Sequence, residues 1–240
     1  MSEAKESSHL SKKNDFIELE FLGRNLINRE VFDTNILHEA KKINPDIKET
    51  KPLIICISKG MVVKGLDESL ESKEIGKKYT IKLSPDKAFG KRDPKLIRLI
   101  PMKMFTDQKI LPQPGMTLAL DNNLVRVASV SGGRVLVDFN NPLAGKDVEY
   151  DFTIKKQVHD IKEKIESVQK FLFGQAFDFD IEEKEGKRII VFKDLKLAPI
   201  LQAFRQNFKE LLDMDVEILE KKKEAKEEKM QEKEIKKSSP

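Results

Sequence analysis

The chain has 240 residues, which is room for one large domain or for two to three small ones. Hydrophobic residues make up 39% of it and charged residues 36%, yet 45 Lys and Arg nearly balance 41 Asp and Glu. The net charge of +4 argues against a strongly basic nucleic-acid-binding face. The single cysteine, Cys56, excludes an internal disulfide and fits a reducing compartment.

The N-terminal residues 1–14 are polar, and we expect them to be disordered and not to act as a signal peptide. The longest apolar run, Leu53–Ile57, is far shorter than the ~20 residues that a membrane-spanning helix needs. We therefore expect a soluble, cytoplasmic protein with no membrane contact.

The first 156 residues have the pattern of short strands separated by turns. Alternating or continuous apolar runs predict strands at 16–21, 53–57, 79–83 and 150–154, and a short helix at 62–70. Four further short strands are predicted between residues 96 and 137, where Asp121-Asn122-Asn123 and Ser131-Gly132-Gly133 are turn sequences. This pattern predicts a small β module.

The pattern changes after Lys156 to that of an α-β-β-α-β unit. The apolar residues of its first predicted helix are spaced by three and four: Val158, Ile161, Ile165, Val168 and Leu172. Two strands joined by Glu185-Gly186, a second amphipathic helix with Pro199 in its first turn, and a last short strand follow. The stripe of the first helix has two candidate partners, the second helix of the same chain or a second copy of the chain.

Metal and phosphate sites are not predicted. The three histidines are scattered, and one cysteine cannot supply a set of thiolate ligands, so we expect neither a metal nor a cofactor. Asp67, Glu68 and Glu71 lie on the predicted short helix, and we interpret them as a solvated face.

Several short motifs occur in a fixed order along the chain. They are Glu20-Phe21-Leu22-Gly23, Phe32-Asp33-Thr34-Asn35, Val62-Val63-Lys64-Gly65-Leu66, Ser84-Pro85-Asp86-Lys87-Ala88-Phe89-Gly90 and Pro142-Leu143-Ala144-Gly145. In this order they resemble the FKBP-type peptidyl-prolyl cis–trans isomerases, and within that family the SlyD-like and long archaeal-type members.

The resemblance implies an α+β fold. Its core would be an FKBP-like antiparallel sheet that wraps a short helix, formed by residues 15–97 and 140–156. A small β domain at 98–139 would be inserted in the flap, and the C-terminal α-β-β-α-β domain would occupy 157–220. The remaining residues, 221–240, form a Lys- and Glu-rich tail that we interpret as solvated, with weak contact to ribosomal RNA as an alternative.

The family pocket can be transferred to this sequence residue by residue. Asp33, Phe89 and Tyr150 would be the catalytic group. The residues implied to bind substrate are Phe21, Phe32, Leu53, Val62, Val63, Leu66 and Leu143, and the backbone N–H of Val63 would bind a substrate carbonyl. Two positions depart from the family, because Phe89 stands where Tyr is common and Leu66 where Trp is common.

The resemblance implies a folding enzyme that isomerises Xaa–Pro bonds in unfolded or nascent polypeptides, with chaperone activity from the insert. Met102, Met104, Phe105 and Met116 are candidates for the chain-binding surface, since flexible thioethers suit many sequences; packing inside the module is the alternative for each. A non-enzymatic holdase or assembly module is the alternative function. The resemblance also implies a homodimer through the C-terminal domain.

Overall fold

The computed structural model describes residues 10–120, 123–184 and 186–218, so the charged tail at 221–240 lies outside it. These ranges contain three antiparallel or mixed sheets and five α-helices. The strands are β1 Phe16–Asn25, β2 Val31–Thr34, β3 Leu53–Cys56, β4 Lys78–Leu83, β5 Ile97–Pro101, β6 Thr117–Leu120, β7 Asn123–Ser131, β8 Arg134–Asp138, β9 Val148–Gln157, β10 Phe179–Lys184, β11 Lys187–Phe192 and β12 Asp215–Ile218. The helices are α1 Leu37–Ile43, α2 Lys64–Ser69, α3 Met102–Thr106, α4 Ile161–Phe173 and α5 Ala198–Leu212.

The first sheet is antiparallel and has the order β2-β1-β9-β4, with β3 also paired to β1. Alternate residues of β1 and β9 point to one face, as the period of a strand requires. There they pack with α2 in a core of Ile17, Leu19, Phe21, Leu66, Leu70, Val148, Tyr150, Phe152 and Ile154. The opposite face of β9 is polar, and Asp151 contacts Arg24 and Lys78 there.

Helix α2 approaches the sheet closely at Gly65. A Cβ at this position would lie 2.5 Å from Leu83 Cδ2 and 3.0 Å from both the Cβ and the backbone oxygen of Lys87. The helix also carries Asp67, whose buried carboxylate accepts the backbone N–H groups of Ser58 and Gly60, each at 2.8 Å. Our prediction of a solvated face is therefore wrong for Asp67, because this side chain holds the loop between β3 and α2.

Residues 10–14 are ordered, so the expectation of disorder for this part of the N-terminus is wrong. Ser11 is buried, and its hydroxyl donates to the carbonyl of Leu70 at 2.5 Å. Its backbone N–H donates to Lys73 O, and its carbonyl accepts from Ser72 N. These bonds attach the segment to the end of α2, which a run of polar residues does not reveal. Residues 1–9 lie outside the described part.

The second sheet has the order β5-β8-β7-β6 and its own core of Phe105, Leu118, Val125, Val127, Val135 and Val137. It is joined to the first sheet where two chain segments meet, since Phe139 N donates to Leu96 O at 2.9 Å. The Asn140 side chain makes two hydrogen bonds to the backbone of Asp93: it accepts from the N–H at 2.8 Å and donates to the carbonyl at 3.0 Å. Asp138, which accepts from Asn140 and pairs with Arg92, completes this junction.

The C-terminal elements run α4-β10-β11-α5-β12, with β11 between antiparallel β10 and parallel β12. Asp160 begins α4 as its N-cap by accepting Glu163 N at 2.9 Å, and Gly174 ends it at a φ of 75°. Ile165 and Val168 of the apolar stripe are fully buried in a cluster with Phe192 and Phe208. Of the two partners considered for this stripe, the helix and sheet of the same chain cover it.

This C-terminal cluster is continuous with the first sheet. Phe16 of β1 and Cys56 of β3, which are register partners, belong to it, and Val158 N donates to Phe16 O at 2.7 Å. Burial raises the pKa of the Cys56 thiol to about 11, so the thiol stays protonated at neutral pH. No helix within the described ranges is long and apolar enough to cross a membrane.

Gly65→Ala tests the close approach of α2. Because the added methyl would overlap Leu83 and backbone of the next turn, we expect the free energy of unfolding to fall by about 1–3 kcal/mol. Urea denaturation followed by circular dichroism measures this change. Lys64→Ala, at an exposed position of the same helix, is the matched control and should change it by less than about 0.5 kcal/mol. Equal stability of the two variants would contradict the packing described here.

Candidate active site

A cavity of about 720 Å³ opens between β1, β9, β3 and the loop that leads into α2. Its lining is mostly apolar: Phe21, Asp33, Thr34, Asn35, Lys51, Pro52, Leu53, Met61, Val62, Val63, Leu66, Phe89 and Tyr150. Eight of the ten residues transferred from the family are in this set, and the structure brings them together from six separate stretches of the chain. A pocket of this size and character suits a short apolar peptide segment.

The remaining two transferred residues, Phe32 and Leu143, lie beside the cavity. A second, smaller cavity of about 490 Å³ is lined by both, and it shares Asp33 and Phe89 with the main cavity. Phe32 nevertheless supports the cavity, because its ring makes edge-to-face contacts with Phe89 at 5.5 Å and with Tyr150 at 5.7 Å between centroids. This geometry is the preferred one for aromatic pairs.

A glycine makes this aromatic cluster possible. Gly23 pairs with Tyr150 across β1 and β9 and with Asp33 across β1 and β2. A Cβ on Gly23 would lie 2.7 Å from Phe32 Cζ and 2.9 Å from Tyr150 Cε1. Any side chain here would push the two rings apart, so the Gly of the Glu20-Phe21-Leu22-Gly23 motif leaves room for the pocket wall.

Asn35 fixes the backbone beneath the cavity. The edge of β1 pairs with β3 up to Leu19 and with β2 from Leu22, which leaves a gap at Phe21. The Asn35 side chain fills it, accepting from Phe21 N at 2.8 Å and donating to Leu19 O at 2.7 Å. The hydroxyl of Thr34 donates to Phe21 O at 2.7 Å. The Phe32-Asp33-Thr34-Asn35 motif contains both residues, but their bonds to β1 were not predicted, because they join residues 13–16 positions apart in sequence.

The acidic and phenolic groups of the site differ in their surroundings. Asp33 lies exposed at the cavity rim, yet partial burial raises the pKa of its carboxyl, a shift that the backbone N–H of Thr34 opposes. Burial, and then the nearby charge of Asp33, raises the pKa of the Tyr150 phenol. Tyr150 is therefore protonated at neutral pH, where it can donate a hydrogen bond but cannot act as a base.

The described residues offer little else for chemistry in this cavity. No group of three or more His, Cys, Asp or Glu side chains within them is arranged to hold a metal ion. The cavity combines an apolar wall with a single carboxylate, a lysine at the rim and backbone groups of the loop 62–63. Such an arrangement can bind an apolar peptide segment and interact with the dipoles of its backbone amides.

Asp33→Asn tests the desolvation of the carboxyl. Because the native pKa is raised, the charged form costs folding free energy at pH 7, so the neutral amide should make the protein more stable there. As the pH falls through the raised native pKa, Asp33 takes up a proton and this advantage should shrink. It should vanish below the unfolded-state pKa of about 3.9.

Urea denaturation of both proteins between pH 3 and pH 8 measures this dependence. Asp86→Asn, which changes an exposed carboxyl of the turn before Phe89, is the control for the loss of one surface charge. A variant at Asp33 that is less stable than the wild type at pH 7, or a difference that does not change with pH, would contradict the assignment.

Comparison with known proteins is consistent with this geometry. Residues 8–104 match the family model of the FKBP-type peptidyl-prolyl cis-trans isomerases, and residues 98–143 match the model described as FKBP26, IF domain. The short-type peptidyl-prolyl cis-trans isomerase of Methanocaldococcus jannaschii is 33% identical over 149 residues, which cover 61% of this chain and 92% of that protein.

Two bacterial relatives extend the comparison. The FKBP-type 16 kDa peptidyl-prolyl cis-trans isomerase of Escherichia coli is 31% identical over 109 residues, or 43% of this chain and 72% of that protein. The SlyD protein of Aeromonas hydrophila is 29% identical over 107 residues, or 44% of this chain and 50% of that protein. The resemblance drawn from the motifs is confirmed: the chain belongs to the FKBP-type peptidyl-prolyl cis–trans isomerases and is SlyD-like.

Proposed function

We propose that the cavity between β1, β9 and α2 binds the proline of an Xaa–Pro segment and lowers the barrier to rotation of its amide. Resonance makes that barrier about 18–20 kcal/mol. The planar amide is more dipolar than the twisted one, so water favours the planar form. An apolar wall replaces the water that stabilises the planar amide. The cavity therefore binds the twisted transition state more tightly than the planar ground state.

Individual residues have distinct proposed roles in this mechanism. The side chains of Phe21, Leu66 and Tyr150 form the floor that excludes water, since each is less than a tenth exposed. Val63 is the N-cap residue of α2, so its backbone N–H has no acceptor within the helix. In our proposal this N–H donates to a substrate carbonyl. Asp33 orients the polar groups of the substrate at the rim, and Phe89 packs on the substrate from the side of Phe32.

Phe89 and Leu66, which stand where the family commonly has Tyr and Trp, lower the catalytic rate in this proposal. Phe89 lacks the phenol that would donate a hydrogen bond to substrate. The single observation that carries the proposal is the apolar cavity assembled from the motif residues of an isomerase family. The non-enzymatic alternative predicts a folded cavity without rate acceleration, so the following measurement separates the two.

Phe89→Ala should lower kcat/KM for a short Xaa–Pro peptide by about 10- to 100-fold. The reason is that burying an aromatic side chain contributes about 1.5–3 kcal/mol, and each 1.4 kcal/mol is a factor of ten in rate. Cis-to-trans rates followed by NMR exchange measure the effect. Phe171→Ala on α4, where the ring is 44% exposed, is the matched control. A wild-type protein that gives no acceleration over solvent would end the enzymatic proposal.

We further propose that the segment 98–139 is an insert-in-flap domain that binds unfolded polypeptides. Support comes from its match to the IF-domain model and from the exposure of its apolar side chains. Five large ones are at least 40% exposed: Leu99, Met104, Leu111, Met116 and Leu124. An exposed apolar surface of this kind is typical of protein-binding sites.

Two of the four candidate residues on this surface change their status. Phe105 is only 2% exposed and belongs to the core of the insert, so its assignment to the chain-binding surface is wrong. Met102 is partly buried against the same core. The sequence pattern cannot distinguish core from surface positions in this insert, because apolar residues occupy both. Met104 and Met116 remain candidates.

The edges of the insert sheet add a second contribution to this proposal. Strands β5 and β6 each pair with a single neighbour in the sheet, so their outer edges can pair with an extended client chain. The Asn140 junction would then hold the captured chain near the cavity, which raises the local concentration of Xaa–Pro bonds. Hydrogen bonds from Asn140 and the charge of Arg92 keep the pKa of Asp138 below its usual value despite partial burial, so this junction stays ionised at neutral pH.

A variant with Ser at Leu99, Met104, Leu111, Met116 and Leu124 should lose most binding to reduced, carboxymethylated lactalbumin, a permanently unfolded chain. Because all five side chains are exposed, the core of the insert stays intact and short-peptide isomerisation should stay within about twofold of wild type. Fluorescence anisotropy of the labelled client measures the binding. The control carries Ser at Ile27 and Ile43, which are 80% and 50% exposed outside the insert. Equal losses in both variants would contradict a specific role for residues 98–139.

Two further proposals concern the oligomeric state and the location of the protein. A homodimer through residues 157–220 would use surfaces other than the helix stripe, which the chain itself covers. Exposed Phe171 and Ile200 are the candidates for that contact. The molar mass by light scattering at micromolar concentration decides between monomer and dimer. We retain the cytoplasm as the proposed location.

A further inference from the structure

Strand β3 is shared by two hydrophobic cores. Its residues alternate between them, since Leu53 and Ile55 pack in the core beneath the cavity and Ile54 and Cys56 pack in the C-terminal cluster. Side chains of a strand point alternately to opposite faces. The C-terminal unit therefore covers the back of the strand that supports one side of the cavity.

The loop that follows β3 continues this connection. Met61 is partly buried and packs against both cores, and it also lines the cavity. Its sulfur accepts the backbone N–H of Cys56 at 3.2 Å, which closes the loop back onto the end of β3. No other residue in the described ranges packs against both of these cores and lines the cavity.

A second link joins the same loop to the C-terminal unit. Lys59 Nζ donates to the backbone carbonyl of Glu210 at 2.9 Å, in the last turn of α5. A cation at this end of a helix is favourable because the final carbonyls lack intrahelical partners. Asp67 holds the same loop from the side of α2 through Ser58 and Gly60. The loop is thus fixed from both units immediately before Val62 and Val63.

We propose that Met61 is a positioning residue of the isomerase, through which the C-terminal unit holds the loop carrying Val62 and Val63 in its substrate-binding geometry. This inference rests on the proposed function of the cavity. It goes further in assigning to residues 161–218 a part in catalysis, although they contribute no side chain to the cavity wall. Because a displacement of about 1 Å can cost up to 100-fold in rate, a loosened loop would affect turnover.

The test compares truncations in the same C-terminal cluster. Met61→Ala should lower kcat/KM for a short Xaa–Pro peptide about tenfold, with most of the loss in kcat, because the loop acts on the transition state. Met61→Leu restores the packing volume and should recover at least half of that activity. Met214→Ala removes a side chain that is 3% exposed in the cluster but does not line the cavity. It should lower stability comparably and leave kcat/KM within about twofold.

Amide hydrogen exchange provides a readout that does not depend on activity. Met61→Ala should accelerate exchange of the Gly60 and Asp67 amides, which donate to the Asp67 carboxylate and to Val63 O, at least tenfold more than Met214→Ala does, at equal global stability set by added urea. Equal effects of the two Ala variants on exchange or on kcat/KM would overturn the proposal, as would a Leu variant as impaired as the Ala variant. A wild-type protein without catalysis would refute the proposed function, and the exchange comparison would still decide whether Met61 holds the loop.

Discussion

The pairing of β1 with β9 is the constraint on which the rest of the molecule depends. It joins residues 16–25 to residues 148–157 and puts Gly23 opposite Tyr150 and Phe21 opposite Phe152. The aromatic wall of the cavity exists only in this register, because a shift by one residue would turn Phe21 and Tyr150 to the charged face. The whole second sheet lies between the two strands in sequence, so the cavity depends on a contact of high sequence separation, which is slow to form.

Charged groups are solvated differently on the outer face of the first sheet and at the cavity. Ion pairs such as Arg24 with Asp151 cover the outer face of the sheet, where water and opposite charges solvate each group. At the cavity rim, the carboxyl of Asp33 loses part of its solvation, which raises its pKa, and the backbone N–H of Thr34 opposes this shift. In the proposed function, Asp33 acts on the dipole of a bound amide, for which no proton transfer is required.

Periodicity and motif order predicted a large part of this architecture. The strands around Tyr79, Thr117 and Tyr150 and both long C-terminal helices occur where the apolar spacing indicated them. Strand β2 and helix α1 were missed, because each is short and lies in a mixed polar segment whose structure depends on pairing with β1. The family resemblance identified eight cavity residues, six of them within the quoted motifs. The roles of Met61, Asn35 and Asp67 were missed, because they depend on contacts between residues that are distant in sequence. Whether an apolar residue is core or surface, as for Phe105, was likewise undetermined until the sheet was in place.

The meeting of Leu96 with Phe139 has a consequence for how such proteins are built. The chain leaves the first sheet and returns to it at nearly the same point, with one backbone hydrogen bond across the opening. The host sheet therefore bears almost no entropic penalty for the length of what is inserted, since its own loop is closed at the base. Modules of other sizes and binding preferences could be exchanged at this site by recombination while the register of β1 and β9 is preserved. In the proposed function, the polypeptide-binding surface can thus change while the isomerase cavity stays the same.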